Sequence, residues 1–154
     1  MTNVSLFRGL EPAEVSRLME IARAERYPAG SEIIREQEPN AALVIIKQGR
    51  ARVSRLSAGR DVELGEIGEG GFFGEISVFD PGPATATVRA INAVTVLKIE
   101  KEELDRLLDQ EPELGVRLLR LMTAEICRRI RATDQKLVDT LIWSQQVIGG
   151  GVAT

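Results

Sequence analysis

Apolar residues change their spacing along this chain, and each change predicts a new kind of element. From Glu11 to Ala22 they recur at helical steps, with Val15, Leu18, Met19 and Ala22 on one stripe. Glu11-Pro12-Ala13-Glu14 supplies a helix start, since proline suits the first helical position and acids favour the first turn. The helix is expected to end before the turn cluster Tyr27-Pro28-Ala29-Gly30. From Ser31 the period shortens. Glu32-Ile33-Ile34-Arg35 reads as a short strand, and Leu43-Val44-Ile45-Ile46, β-branched and apolar, as a buried one. Ala51–Leu56 and Val62–Ile67 alternate apolar with polar positions, separated by the turns Gln48-Gly49 and Ala58-Gly59-Arg60. Short strands at about ten-residue spacing with glycine turns between them predict a sandwich or a barrel.

The stretch from Gly70 to Ala90, GGFFGEISVFDPGPATATVRA, organises the rest. A turn of helix, GEISVF, should follow the phenylalanines, then a Pro/Gly break, then a strand ATATVRA. Gly74 would let the backbone approach a ligand, and the first amides of the helical turn lack partners and attract anions. Glu75 can accept hydrogen bonds from sugar hydroxyls. Beyond this stretch Val94–Ile99 is a further strand, Glu100–Leu104 opens a helix, and Glu111-Pro112 breaks it.

One long helix is then expected from Glu113 to about Ile148, ended by Gly149-Gly150-Gly151. Its stripe, Leu119, Met122, Ile126, Ile130, Thr133, Leu137, Leu141 and Val147 or Ile148, steps by three and four residues, close to a heptad. That is longer than a small barrel covers, so its far part should pack on a second copy of the chain as a homodimer. The division expected is 1–112, a β domain with flanking helices; 113–148, the dimerisation helix; and 149–154, a flexible tail.

Composition narrows the chemistry. The 154 residues carry a net charge of −3, 44% apolar side chains, one cysteine and no histidine. One domain with a real core fits that length. The acidic balance argues against a dedicated nucleic-acid binder. Arg117, Arg120, Arg128, Arg129, Arg131 and Lys136 read instead as a solvated helix flank, partly balanced by Glu125, Asp134 and Asp139. Without histidine there is no histidine metal site and no His-dependent nucleophile, which removes the metal-dependent cupins among jelly-roll folds. A lone Cys127 excludes an internal disulfide and suits a reducing cytosol. No run of eighteen apolar residues and no signal core is present, so a cytoplasmic location and no membrane contact are expected. Walker, Rossmann and GxSxG patterns are absent; Phe73 stands where a dinucleotide loop needs its third glycine. No catalytic residues, metal ligands or cofactor are expected, and the chain does not read as an enzyme.

Gly74, Glu75, Ile76 and Ser77, then Pro83, Thr85, Ala86, Thr87 and Val88, resemble the phosphate-binding cassette of the cyclic-nucleotide-binding domains, as in the bacterial catabolite-activator superfamily. The usual pattern is roughly FGE[IL][AS]LL, three or four variable residues, then PRTATV. YPAGSEII and LVIIKQGRARV also resemble the opening strands of that fold, with Gln37 and Glu38 replacing a common glycine and aspartate. The resemblance covers roughly Leu6 to Leu141. It implies a mainly β jelly roll, a double-stranded β-helix, with an N-terminal helix and a long C-terminal dimer helix. It also implies a ligand such as cAMP or cGMP, or a similar small anion. Glu75 would bind the ribose 2′-hydroxyl, Gly74, Ile76 and Ser77 would supply backbone or hydroxyl donors, and Thr85 would face phosphate or base. Thr133 matches the hydroxyl that reaches the purine across the dimer. The activators continue into a helix-turn-helix domain after this helix, whereas this sequence stops at Thr154. No direct DNA binding is therefore expected, and output would pass through a separate effector protein.

One position departs from the pattern. The family's phosphate-binding arginine falls at Ala84. Losing a charged hydrogen-bond partner costs about 1.5–3 kcal/mol, roughly ten- to hundredfold in affinity. Arg89 is five residues further along a presumed strand, roughly 16 Å away and on the opposite face, and is a poor substitute. Arg52 or Arg55 from the neighbouring hairpin remain open as stand-ins. A ligand-free scaffold, in which the dimer helix is the working part, is the rival reading.

Overall fold

In a computed structural model, described for the backbone of residues 6–152 and the side chains of residues 6–146, eight strands form two antiparallel sheets. They are β1 (Arg23–Tyr27), β2 (Glu32–Ile34), β3 (Ala42–Gln48), β4 (Ala51–Ser57), β5 (Arg60–Ile67), β6 (Phe72–Phe73), β7 (Thr87–Ala90) and β8 (Val94–Glu100). One sheet has the order β1-β8-β3-β6, the other β2-β7-β4-β5. Apart from the β4–β5 hairpin, successive strands alternate between the sheets, as in the expected jelly roll. Five helices flank them: α1 (Leu6–Gly9), α2 (Pro12–Ile21), α3 (Glu75–Phe79), α4 (Lys101–Gln110) and α5 (Pro112–Val152).

The interior explains the strand pattern. Val44, Ile46, Phe73, Val94 and Val96 from one sheet share a core with Ile33, Ala51, Ile67, Val88 and Ala90 from the other. In β3 the alternate residues Leu43 and Ile45 are also fully buried, so the strand is apolar on both faces. Each such side chain contributes about 1.5–3 kcal/mol of burial. The α2 start is as expected, with Pro12 first and the Glu14 carboxylate accepting the Glu11 N–H at 3.0 Å. Of its stripe, Leu18 is buried but Met19 is largely exposed.

Several local expectations are corrected. Residues 23–27 are strand β1, not the end of a helix: its backbone pairs with β8 from Arg23↔Lys98 to Tyr27↔Val94. Its alternate side chains Arg23, Glu25 and Tyr27, on the face shared with Val94 and Val96, form a polar cluster with Lys98. Glu25 accepts a hydrogen bond from the Tyr27 hydroxyl at 2.7 Å and pairs with Lys98 at 2.9 Å and Arg23 at 3.0 Å. The Lys98 ammonium also lies 5.4 Å from the centre of the Tyr27 ring. These partners, Tyr27 first and then Lys98, lower the Glu25 carboxyl to about 2. The strand after the Pro/Gly break begins only at Thr87, because residues 85–86 bend. The last helix runs through Gly149–Gly151 to Val152 rather than stopping there; glycine weakens a helix by roughly 1 kcal/mol per residue but does not sterically end one. The rest of the expected tail, residues 153–154, lies outside the described residues.

The chain forms two compact units, one up to Leu118 and one from Leu119 onward, so the boundary falls inside α5. Within the second unit Leu119 is 37% exposed, and from Met122 onward exposure of the stripe rises along the helix. Met122 is 1% exposed, Ile126 is intermediate, and Ile130, Leu137 and Leu141 are 54%, 57% and 54% exposed.

Candidate functional site

Gly74 ends β6 and caps α3 in the left-handed conformation, φ +84°. A Cβ there would lie 2.5 Å from the Ala42 carbonyl oxygen of β3. The glycine is thus required by a close approach of two protein backbones. Asn40 ties the same corner together, its Nδ2 donating to the carbonyls of Ala42 at 3.1 Å and Gly74 at 3.3 Å. This corner fixes the direction in which α3 leaves the sheet.

On α3, Glu75 is buried, Ser77 is buried and Ile76 is half exposed. A carboxylate in the first turn lies at the positive end of the peptide dipoles. The Ser77 hydroxyl is 3.5 Å from the Pro83 carbonyl, joining the helical arm of the cassette to the proline arm. Next to it, Ala84 is buried, and Thr85 is exposed. Gly74, Glu75, Ser77 and Ala84 are therefore brought into one corner of the first unit. Thr133 is exposed on α5 in the second unit.

A feature missing from the sequence reading is the loop that backs Ala84. Its N–H donates to the Glu38 carbonyl at 2.9 Å, and its carbonyl accepts the Gln37 N–H at 2.8 Å. Gln37 has φ +70°, the conformation the common glycine adopts without strain. The residue at this place thus holds a left-handed backbone of the kind glycine favours, and only the backbone shows it.

The arginines weighed as stand-ins are committed elsewhere. Arg89 donates to the Gly30 carbonyl at 2.8 Å and pairs with Glu32 at 2.8 Å. Arg52 pairs with Glu63 and Arg55 with Glu36, each at 3.3 Å. Arg35, on the backing loop, holds Glu32 at 2.6 Å and Glu38 at 3.2 Å. The Arg35 hydrogen bond is the main cause that keeps the Glu32 carboxyl below its usual range. On α5, Arg117 pairs with Glu14 at 2.5 Å, and Arg128 and Arg129 both meet Glu125. That engages part of the basic helix flank in ion pairs.

Among the described residues no cluster of His, Cys, Asp and Glu is arranged to hold a metal, and no helix is long and apolar enough to cross a membrane. A cavity of about 570 Å³ opens at the other end of β3 from Gly74, lined by Gln48, Gly49, Arg50, Gly68, Glu69 and Asn92. It is polar and wide-mouthed, and it contains none of the cassette residues.

Residues 24–111 match the family model described as the cyclic nucleotide-binding domain. The chain is 30% identical over 142 residues to the CRP-like cAMP-activated global transcriptional regulator of Mycobacterium tuberculosis, covering 92% of this chain and 62% of that protein. It is 30% identical over 141 residues to the cAMP-dependent protein kinase regulatory subunit of Neurospora crassa, covering 92% of this chain and 33% of the subunit. In structure it resembles the catabolite activator protein of Thermus thermophilus, with a TM-score of 0.75 and 28% identity over 86% of this chain and 61% of that one. The chain thus spans less than two thirds of each of these relatives.

Proposed function

Because this chain belongs to the cyclic nucleotide-binding domain family, we propose that it is a cytoplasmic regulatory sensor module and not an enzyme. In this reading a ligand of the cyclic-mononucleotide class, with cAMP the first choice, sits against Gly74–Ser77. Glu75 takes the ribose 2′-hydroxyl, the α3 amides and Ser77 face the phosphate side, and Thr85 borders the ligand at the exposed rim. Binding signals by favouring one arrangement of the C-terminal helix over another, since a ligand shifts only an equilibrium whose states it binds differently. The helix pairs with a second copy along Ile130, Leu137 and Leu141, placing Thr133 in the seam. A separate effector protein reads the change.

One observation carries this reading: the left-handed Gly74, the buried Glu75 and the Ser77–Pro83 contact hold the cassette in shape. The relatives named as regulators or regulatory subunits point the same way. Calorimetry of the full chain with cAMP and with cGMP tests it. Saturable heat below a millimolar supports a sensor.

A second reading has its own observation. Ala84 replaces the cassette arginine and is buried, with both backbone groups bonded to the loop behind it. A ligand-free scaffold working through its helix would give no heat with either nucleotide while still self-associating.

A further inference from the structure

The proline arm of the cassette, residues 83–87, leaves the sheet at a definite place. Strand β7 pairs with β4 from Ala51↔Ala90 to Ser54↔Thr87, and beyond that the Ile91 N–H donates to the Arg50 carbonyl at 2.9 Å. Hydrogen-bonded pairs alternate along an antiparallel ladder, so Arg50 with Ile91 is followed by Arg52 with Arg89 and Ser54 with Thr87. Leu56 would next meet Thr85, but residues 85–86 bend away. The Leu56 N–H donates instead to Glu36 Oε2 at 2.9 Å, while Glu36 Oε1 meets Arg55 Nε at 3.3 Å. A carboxylate from the loop after β2 thus stands where the Thr85 carbonyl would be. Among the described residues, neither backbone group of Thr85 takes a hydrogen bond. The loop that carries Glu36 also lies along the arm. Its Glu36 N–H donates to Thr87 Oγ1 at 3.0 Å, Gln37 and Glu38 take the backbone groups of Ala84, and Pro39 bridges to Pro83. Gln37, Glu38 and Pro39 are exposed, whereas the Glu36 side chain, 14% exposed, ties the loop to β4.

We propose that Glu36 is a positioning residue of the ligand site, an inference that rests on the ligand-binding reading above. Its carboxylate takes the hydrogen bond with which β4 would draw Thr85 into the sheet, and so keeps Thr85 at the rim. It also anchors the loop that holds Ala84. The arm is then in place before a ligand arrives, which lowers the ordering cost of binding. Glu36 acts by accepting the Leu56 N–H. Its pairing with the half-exposed Arg55 is screened by solvent and adds little.

Glu36→Ala, Glu36→Gln and Arg55→Ala in the full chain, each checked for folding by circular dichroism, test this. Hydrogen exchange at the Gln37 and Ala84 amides is expected to be about tenfold faster in Glu36→Ala and unchanged in the other two, because a glutamine carbonyl still accepts the Leu56 N–H. Calorimetry with cAMP is expected to show an affinity loss of about fivefold or more for Glu36→Ala alone. Unaltered exchange in a folded Glu36→Ala overturns the inference. So does an equal affinity loss in Glu36→Gln, which would place the effect in the charge. Faster exchange with no loss of affinity also overturns it, since Glu36 would then anchor the loop without serving the ligand. In each of these cases the wild type still binds and the ligand-binding reading stands. No saturable heat from the wild type overturns both. Should Glu36→Ala not fold, Glu36→Gln decides: cAMP affinity close to wild type is expected, and a fivefold loss overturns the inference.

Discussion

Two apolar runs of this chain look alike on paper and end in opposite environments. Leu43-Val44-Ile45-Ile46 of β3 is fully buried inside the first unit. Leu137-Val138 and Leu141-Ile142-Trp143 of α5 stand between 48% and 65% exposed in the second. A strand in the middle of a sheet is covered on both faces by its own chain. A lone helix can bury a stripe only against something else, and two side-by-side i, i+4 pairs make a wide one. Apolar content alone therefore does not tell a folding core from an association surface; what decides is whether the chain itself supplies the covering layer.

Substitutions in the two regions separate these roles. Ile45→Ala is expected to cost about 2–5 kcal/mol of unfolding free energy, read from urea titration, because it leaves a hole between packed layers. An unchanged midpoint would contradict the assignment of β3 as core. Gly74→Ala comes next, at about 1–3 kcal/mol, since it combines a left-handed φ with a Cβ driven onto the Ala42 carbonyl. The same variant should lose any nucleotide heat.

Glu25→Gln should cost about 1–2 kcal/mol at neutral pH, after allowing for partial solvent screening. The Glu25 carboxyl titrates at about 2 in the folded chain against 4.5 unperturbed. Its stability contribution is therefore complete above pH 4.5 and is lost as pH falls toward 2. Unfolding titrations from pH 7 to pH 2 should show the wild type losing this increment and the variant lacking it throughout. Identical acid limbs would remove Glu25 from the account.

Smaller still, Gln37→Gly should raise stability by about 0.5–1 kcal/mol by relieving a left-handed non-glycine residue. Leu137→Asp combined with Leu141→Asp should shift the β unit's thermal midpoint least of all, yet convert the proposed dimer to a monomer in sedimentation. Loss of the barrel's midpoint with no change in association would reverse the roles drawn for the two runs.

Much of the fold was legible in advance. The β3 run, the glycine turns, the alternating β4 and β5 and the long apolar stripe each carry a local signal. Strand β1 did not: Arg-Ala-Glu-Arg-Tyr has neither alternating hydrophobicity nor a β-branched residue, and it is a strand because its backbone pairs with β8 more than sixty residues away. At the candidate site, Gly74, Glu75, Ser77 and the gap at Ala84 stood out in the sequence. The loop behind Ala84 did not, because its bonds join residues 37–38 to residue 84.

The sequence by itself determined a sandwich or barrel through its strand spacing, and through its resemblance to a known family the jelly roll, the place of the cassette and the absence of its arginine. Only the tertiary structure decided which carboxylate each arginine holds, why Gly74 cannot carry a side chain, and that Gln37 holds a left-handed backbone of the kind glycine favours. Those depend on backbone and charged groups far apart in the chain meeting at one corner, and local patterns do not encode such meetings.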